Sequence, residues 1–226
     1  VVPPAELVDL KPTLAVQKLW DTGVGGGGEK LRLALGLALD RGVLFTAARD
    51  GEVVALDPAT GRVKWAQDTK ADLAAGPGVG ASVVAVGTSD GKVIALDVAS
   101  GKVLWKVSVS SEVLAAPLVT GDRVIVRSVD GRVHALDALT GKSQWTGEEP
   151  VPKLSLRGTA SPVLAKDNIV AGFDSGKVVA FTLASGDIAW QAQVTTPGGR
   201  SELARLADVD SAVQVDGNDG FAAGYQ

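Results

Sequence analysis

The sequence has no cysteine and no methionine, and only one histidine and one tyrosine, in 226 residues. Without cysteine there is no disulfide framework, no zinc-finger or iron–sulfur ligation and no thiol nucleophile. A lone histidine, His134, assembles neither a zinc site nor a catalytic triad within this segment. The missing methionine has no physical reading. Basic residues are also outnumbered: 22 Lys and Arg against 26 Asp and Glu leave a net charge of -4 and a pI of about 5.1. That balance argues against nucleic-acid binding, which needs a clustered basic surface to displace phosphate counterions. No apolar run reaches the ~18 residues a membrane-spanning helix requires. The opening Val1-Val2-Pro3-Pro4 lacks the basic n-region of a signal peptide. It reads as the start of a mature or trimmed chain whose targeting signal has been lost.

Hydrophobic residues make up 46% of the chain and charged residues 21%, a folded and globular composition. Its dominant feature is a repeat. Asp50 to Trp65, Asp90 to Trp105 and Asp130 to Trp145 nearly superimpose, and a degenerate copy runs from Asp174 through Gly186 to Trp190. The first glycine recurs at 51, 91, 131 and 176, and the tryptophan at 65, 105, 145 and 190, both in steps of 40, 40 and 45. Two anchors that keep one period define a repeat architecture.

Each repeat reads as four short strands. In the third, 116–119, 123–127, 133–136 and 142–146 read as the strands, separated by Gly-containing turns such as Asp130-Gly131 and Thr140-Gly141. Four strands in about 40 residues make a blade of a β-propeller, so the fold class is all-β. Blades are expected at about 31–66, 72–107, 113–147 and 158–192, within one partial propeller domain. A fifth begins at 207–226, whose next Asp-Gly turn falls due at or just past Gln226. The blades that complete the ring are expected in residues beyond this segment.

The tryptophans Trp65, Trp105, Trp145 and Trp190 sit at the end of the outermost strand, four residues after Gly61, Gly101, Gly141 and Gly186. A ring of ~150–250 Å² in every blade is suited to stacking beside the neighbouring blade's turn glycine and fixing the inter-blade angle. Trp20 lies 45 residues before Trp65 without a repeat of its own. Residues 17–21 therefore read as a lone outer strand that closes another blade and removes an unpaired edge.

Function in a repeat protein is sought in its irregularities. Trp65 to Pro77 and Trp105 to Pro117 each span 12 residues, whereas Trp145 to Pro162 spans 17 and Trp190 to Ala212 spans 22. Both expansions join the outer strand of one blade to the inner strand of the next, so they share one face. The first carries Leu154, Leu156 and Arg157, the second Asp208 and Asp210. An aliphatic pair beside an arginine has the makings of a protein-binding patch. Equally, the leucines can tuck beneath their own connection while Arg157 pairs with an aspartate. Gly25-Gly26-Gly27-Gly28-Glu29-Lys30 lacks the Gly-Lys-Ser/Thr ending of a phosphate loop and reads as a flexible link. His134 replaces the Val54 and Ile94 of other repeats, and Asp57, Asp97 and Asp137 are turn residues and not a catalytic dyad.

The signature Ala-Leu-Asp-x-x-Thr/Ser-Gly-x-x-x-Trp at 55–65, 95–105 and 135–145 resembles the repeat of the quinoprotein dehydrogenase superfamily. That resemblance implies eight-bladed propellers, whose enzymatic members hold pyrroloquinoline quinone and calcium through a vicinal disulfide, a Glu/Asn/Asp calcium set and a catalytic Asp. This sequence has no cysteine and no such set. The segments 154–162 and 199–210 resemble more specifically the BamB family of propeller lipoproteins in the outer-membrane β-barrel assembly machinery. That implies a non-catalytic scaffold without a cofactor, on the periplasmic face of the Gram-negative outer membrane, anchored by an N-terminal lipid. It also implies docking onto the POTRA domains of BamA, with contact positions matching Leu154, Leu156, Arg157, Asp208 and Asp210, and through BamA a role toward unfolded outer-membrane proteins. Two alternatives stand beside it: a fragment of a quinone-dependent dehydrogenase, and a propeller that binds extended peptides at strand edges.

Overall fold

The computed structural model describes residues 13–25, 34–152, 160–196, 198, 206, 208–209, 211–217 and 219–224. They form a β-propeller: an all-β array of four-stranded antiparallel blades. Blade 1 is β2 (Leu37–Asp40), β3 (Val43–Ala47), β4 (Glu52–Leu56) and β5 (Val63–Asp68). Blade 2 is β6 (Leu73–Gly80), β7 (Val83–Thr88), β8 (Lys92–Asp97) and β9 (Val103–Ser108). Blade 3 comprises β10 (Leu118–Thr120), β11 (Arg123–Arg127), β12 (Arg132–Asp137) and β13 (Ser143–Glu148). Blade 4 comprises β14 (Val163–Ala165), β15 (Asn168–Gly172), β16 (Lys177–Thr182) and β17 (Ile188–Gln193). A two-stranded hairpin follows, β18 (Gln214–Asp216) with β19 (Asp219–Phe221). Its first strand begins only at Gln214, well inside the 207–226 expected for the fifth blade, because Val209 donates its N–H to the Phe173 carbonyl at 3.3 Å and packs against Gly172 instead.

The burial pattern explains the strand sequences. Middle strands are covered on both faces by neighbouring blades, so β7 is buried throughout and reads as an unbroken run, Val83-Val84-Ala85-Val86. Outer strands alternate: in β13, Trp145 and Gly147 are buried between exposed neighbours. The core is accordingly divided into slices between blades. Phe45, Leu73, Val86 and Ile94 fill the slice between blades 1 and 2, and Ile125, Ile169, Phe173 and Phe181 that between blades 3 and 4.

The third and fourth strands of all four blades share a register shift beside the tryptophan. It sets Trp65, Trp105, Trp145 and Trp190 opposite Ala55, Ala95, Ala135 and Ala180, whose small side chains leave room for an indole. The tryptophans thus lie in mid-strand, not at its end.

One element departs from the repeat. β1 (Ala34–Leu35) pairs parallel with β6 of blade 2, Ala34 beside Ala75 and Leu35 beside Gly76, before the chain enters blade 1 at Leu37. The strand expected over 17–21 belongs to none of the described sheets. Its tryptophan nevertheless docks like the others, with Trp20 Nε1 donating to the Pro58 carbonyl at 2.9 Å.

Candidate protein-interaction face

An antiparallel four-stranded blade puts its second-to-third turns and the connections to the next blade on the same face. Asp50-Gly51, Asp90-Gly91, Asp130-Gly131 and Ser175-Gly176 mark that face, together with both expanded connections. Of the five expected contact residues, Leu154, Leu156, Arg157 and Asp210 lie outside the described residues. Asp208 is described and is fully buried, so its carboxylate does not stand on the surface where a direct partner contact would need it. An aspartate in a long polar connection gives no sequence signal of burial.

The stem of the first expansion is tied to blade 4. Glu149, the residue after β13, is buried; its N–H donates to the Gly131 carbonyl at 3.0 Å. Its carboxylate meets Lys177 Nζ at 2.9 Å and accepts from Ser175 Oγ at 3.2 Å, both on blade 4. Close by, Arg127 at the end of β11 pairs with Asp174 of blade 4 at 2.5 Å, with 2% and 1% of the two side chains exposed. The guanidinium carbon stands 5.1 Å from the Phe173 ring centroid, within cation–π reach. Arg127, Glu149 and Asp174 belong to no motif in the sequence that marks a site. Their signal is a break in the repeat, since Arg127 occupies the position of Ala47, Gly87 and Gly172.

His134 is buried beneath the same face. Its Nε2 lies 3.1 Å from both Ser110 Oγ and Ser128 Oγ, and Nδ1 is 3.3 Å from Thr146 Oγ1. Burial holds the imidazole below its ordinary value of 6.5; Arg132 adds to that effect and Asp130 opposes it. The nearby carboxylate of Asp130 accepts from Ser128 and pairs with Arg132. Among the described residues the imidazole nitrogens meet only hydroxyls, so this is a hydroxyl-lined packing position. Asp57, Asp97 and Asp137 each accept bonds from the backbone and hydroxyl of the residue three positions on, Thr60, Ser100 and Thr140. These bonds hold all three carboxyls below the ordinary carboxylate value. Among the described residues, no three His, Cys, Asp or Glu side chains gather as metal ligands. No helix there is long and apolar enough to cross a membrane.

The inter-blade contacts repeat with little variation. Trp65, Trp105 and Trp145 donate Nε1–H to the carbonyls of Val98, Ala138 and Leu183 in the following blade, at 3.0, 2.9 and 2.9 Å. Their rings press on Gly101, Gly141 and Gly186. Trp190 has no such glycine among the described residues and is 46% exposed.

A family model described as outer membrane protein assembly factor BamB matches residues 16–77 and 49–226. The chain belongs to the BamB family. It is 50% identical to the curated BamB of Pseudomonas aeruginosa over its full length, covering 59% of that protein. It is 53% identical to that of Alkalilimnicola ehrlichii over 98% of its length, covering 58% of that relative. The chain therefore spans somewhat over half the length of the BamB relatives it matches. The crystal structure of BamB from Moraxella catarrhalis superimposes with a TM-score of 0.79 at 30% identity, over 86% of this chain and 59% of that one. A quinohemoprotein alcohol dehydrogenase from Pseudomonas putida shares the fold alone, at a TM-score of 0.57 and 22% identity over 86% of this chain and 39% of that one.

Proposed function

We propose that this BamB-family chain is a non-catalytic accessory subunit of outer-membrane protein assembly, working at the periplasmic face of the outer membrane of a Gram-negative cell. In this reading it docks onto the POTRA domains of BamA, and a lipid anchor on the intact protein holds it at the membrane. The observation that carries the reading is the match to the BamB family model across most of the chain, including both expanded connections. Leu154, Leu156, Arg157 and Asp210 supply the contacts, and Asp208, which is buried, acts on the second connection from within the fold. A short aliphatic pair flanked by arginine is the composition of a small hot spot, where a few residues carry most of the binding energy.

The test is a binding measurement between full-length protein and a POTRA fragment of BamA. Leu156→Ala with Arg157→Ala is expected to weaken the complex by about a hundredfold, consistent with hot-spot losses of ~2 kcal/mol or more, while the propeller remains folded. Wild-type affinity in the folded double variant overturns the reading. The dehydrogenase alternative rests on fold alone, and quinone-dependent dye reduction by the full-length protein would favour it.

A further inference from the structure

The seam between blades 3 and 4 is built differently from its neighbours. Elsewhere the position of Arg127 holds a small residue: Ala47, Gly87 or Gly172. Its space is filled from the next connection, by Val113 against Gly87 and by Val209 against Gly172. Leu73 and Val113 lie four residues before Pro77 and Pro117, whereas the residue four before Pro162 is Gly158. Arg127 instead brings its own bulk and charge to this seam. Glu149 likewise stands where the other blades have Thr69, Val109 and Val194.

Both charges are answered on one short turn of blade 4. Asp174, where the other blades have Arg49, Ser89 and Val129, takes Arg127; Ser175 and Lys177 take Glu149. Apolar contact fills space without direction, whereas a buried ion pair has a defined geometry and is costly to break but not required for stability. Among the described residues such buried pairs join blades 3 and 4 alone, at the stem of the connection whose sequence carries Leu154, Leu156 and Arg157, and they act as an orienting latch.

We propose that Arg127–Asp174 and Glu149–Lys177 are positioning pairs. They clamp the stem of the 149–162 connection to the 173–177 turn and so set the presentation of its docking residues. The docking half of this inference rests on the BamA reading above; the clamping half does not.

The test compares the full-length protein with an Arg127→Leu/Asp174→Leu variant, which keeps the seam filled but removes direction. Hydrogen exchange is followed at the amides of Glu149 and Gly176, which bond to the Gly131 and Phe173 carbonyls. Exchange at both is expected to quicken by about tenfold or more while amides of the blade 1 core are unchanged. Affinity for the POTRA fragment is expected to fall by about tenfold with an unfolding midpoint near wild type. Glu149→Gln/Lys177→Met, at the more exposed pair, gives the same readouts should the first variant fail to fold. Wild-type exchange at Glu149 and Gly176 in a folded variant overturns the latch. Quickened exchange with unaltered affinity also overturns it, provided that Leu156→Ala/Arg157→Ala does weaken binding. Should that loop variant bind normally, the docking reading fails by itself and exchange alone judges the clamp.

Discussion

Trp105 of blade 2 donates its indole N–H to the backbone carbonyl of Ala138 in blade 3, at 2.9 Å. The same step joins Trp65 to Val98 and Trp145 to Leu183, so each seam carries a directed bond within an apolar contact. Trp105→Phe keeps most of the ring area and removes only the donor. It is expected to cost about 1–3 kcal/mol, the range for leaving a buried carbonyl unsatisfied. Urea unfolding of the variant checks this; a cost below about 0.5 kcal/mol would mean that the bond contributes little beyond packing.

Gly101 and Gly121 separate two effects that a glycine substitution usually mixes. Both have positive φ, +73° and +56°. A Cβ on Gly101 would stand 2.6 Å from Trp65 Cε3, whereas one on Gly121 has nothing within 4 Å. Gly121→Ala is therefore expected to cost about 1–2 kcal/mol, the backbone penalty alone. Gly101→Ala adds about 1–3 kcal/mol from displacing the indole. Equal losses in the two variants would show that the ring is not confined at this seam.

His134 makes stability depend on pH in a known direction. Its folded-state value lies below 6.5, so the unfolded chain takes up the proton more readily. The stabilisation is complete above about pH 6.5, where the imidazole is neutral in both states, and is lost as pH falls from there toward the folded-state value. His134→Val introduces a residue like the Val54, Ile94 and Val179 of the other blades and is expected to flatten melting temperature between pH 7.5 and pH 5. The slope decides the matter, since removing the ring also takes a partner from Ser110, Ser128 and Thr146. The Asp57, Asp97 and Asp137 carboxyls titrate below 3.8 and lie outside this window. Parallel slopes in wild type and variant would rule out His134 as the source.

Asp174 and Arg127 should behave asymmetrically in single and double substitution. Asp174→Leu leaves Arg127 buried without its charge partner and is expected to cost about 3–5 kcal/mol. Adding Arg127→Leu is expected to recover most of that loss, because the bare charge is then gone. A double variant as unstable as the single one would show that the pair contributes to stability as a unit.

Much of this architecture could be read from the residues because a propeller repeats its constraints. A middle strand between two blades must be apolar on both faces, and Val83-Val84-Ala85-Val86 and Val124-Ile125-Val126 declare it. The mid-strand location of the tryptophans is less visible, since the residues after Trp65 and Trp145, Ala-Gln-Asp and Thr-Gly-Glu, are mostly polar like a loop. The pairing of Ala34–Leu35 with blade 2 leaves no mark in a stretch that is apolar throughout. At the candidate face, the expanded connections showed in their lengths, but the burial of Asp208 and the partnership of Arg127 with Asp174 depend on tertiary contacts. Comparing the blades with one another recovers Arg127 and Glu149, because charge is foreign to those positions. It cannot supply the partner.

The two-residue strand β1 also sets how the blades can come apart. At the described seams between complete blades beyond blade 2, no strand of one blade pairs with a strand of the next, and separation breaks side-chain contacts and the indole–carbonyl bonds. Between blades 1 and 2 it must in addition break main-chain pairing, at Ala34–Ala75 and Leu35–Gly76, and the bond from the Gly36 N–H to the Gly76 carbonyl. Repeat proteins ordinarily lose structure one unit at a time. Here any opening that frees blade 1 must also break this parallel pairing, made by two residues that precede blade 1 in the chain and add a fifth strand to the sheet of blade 2.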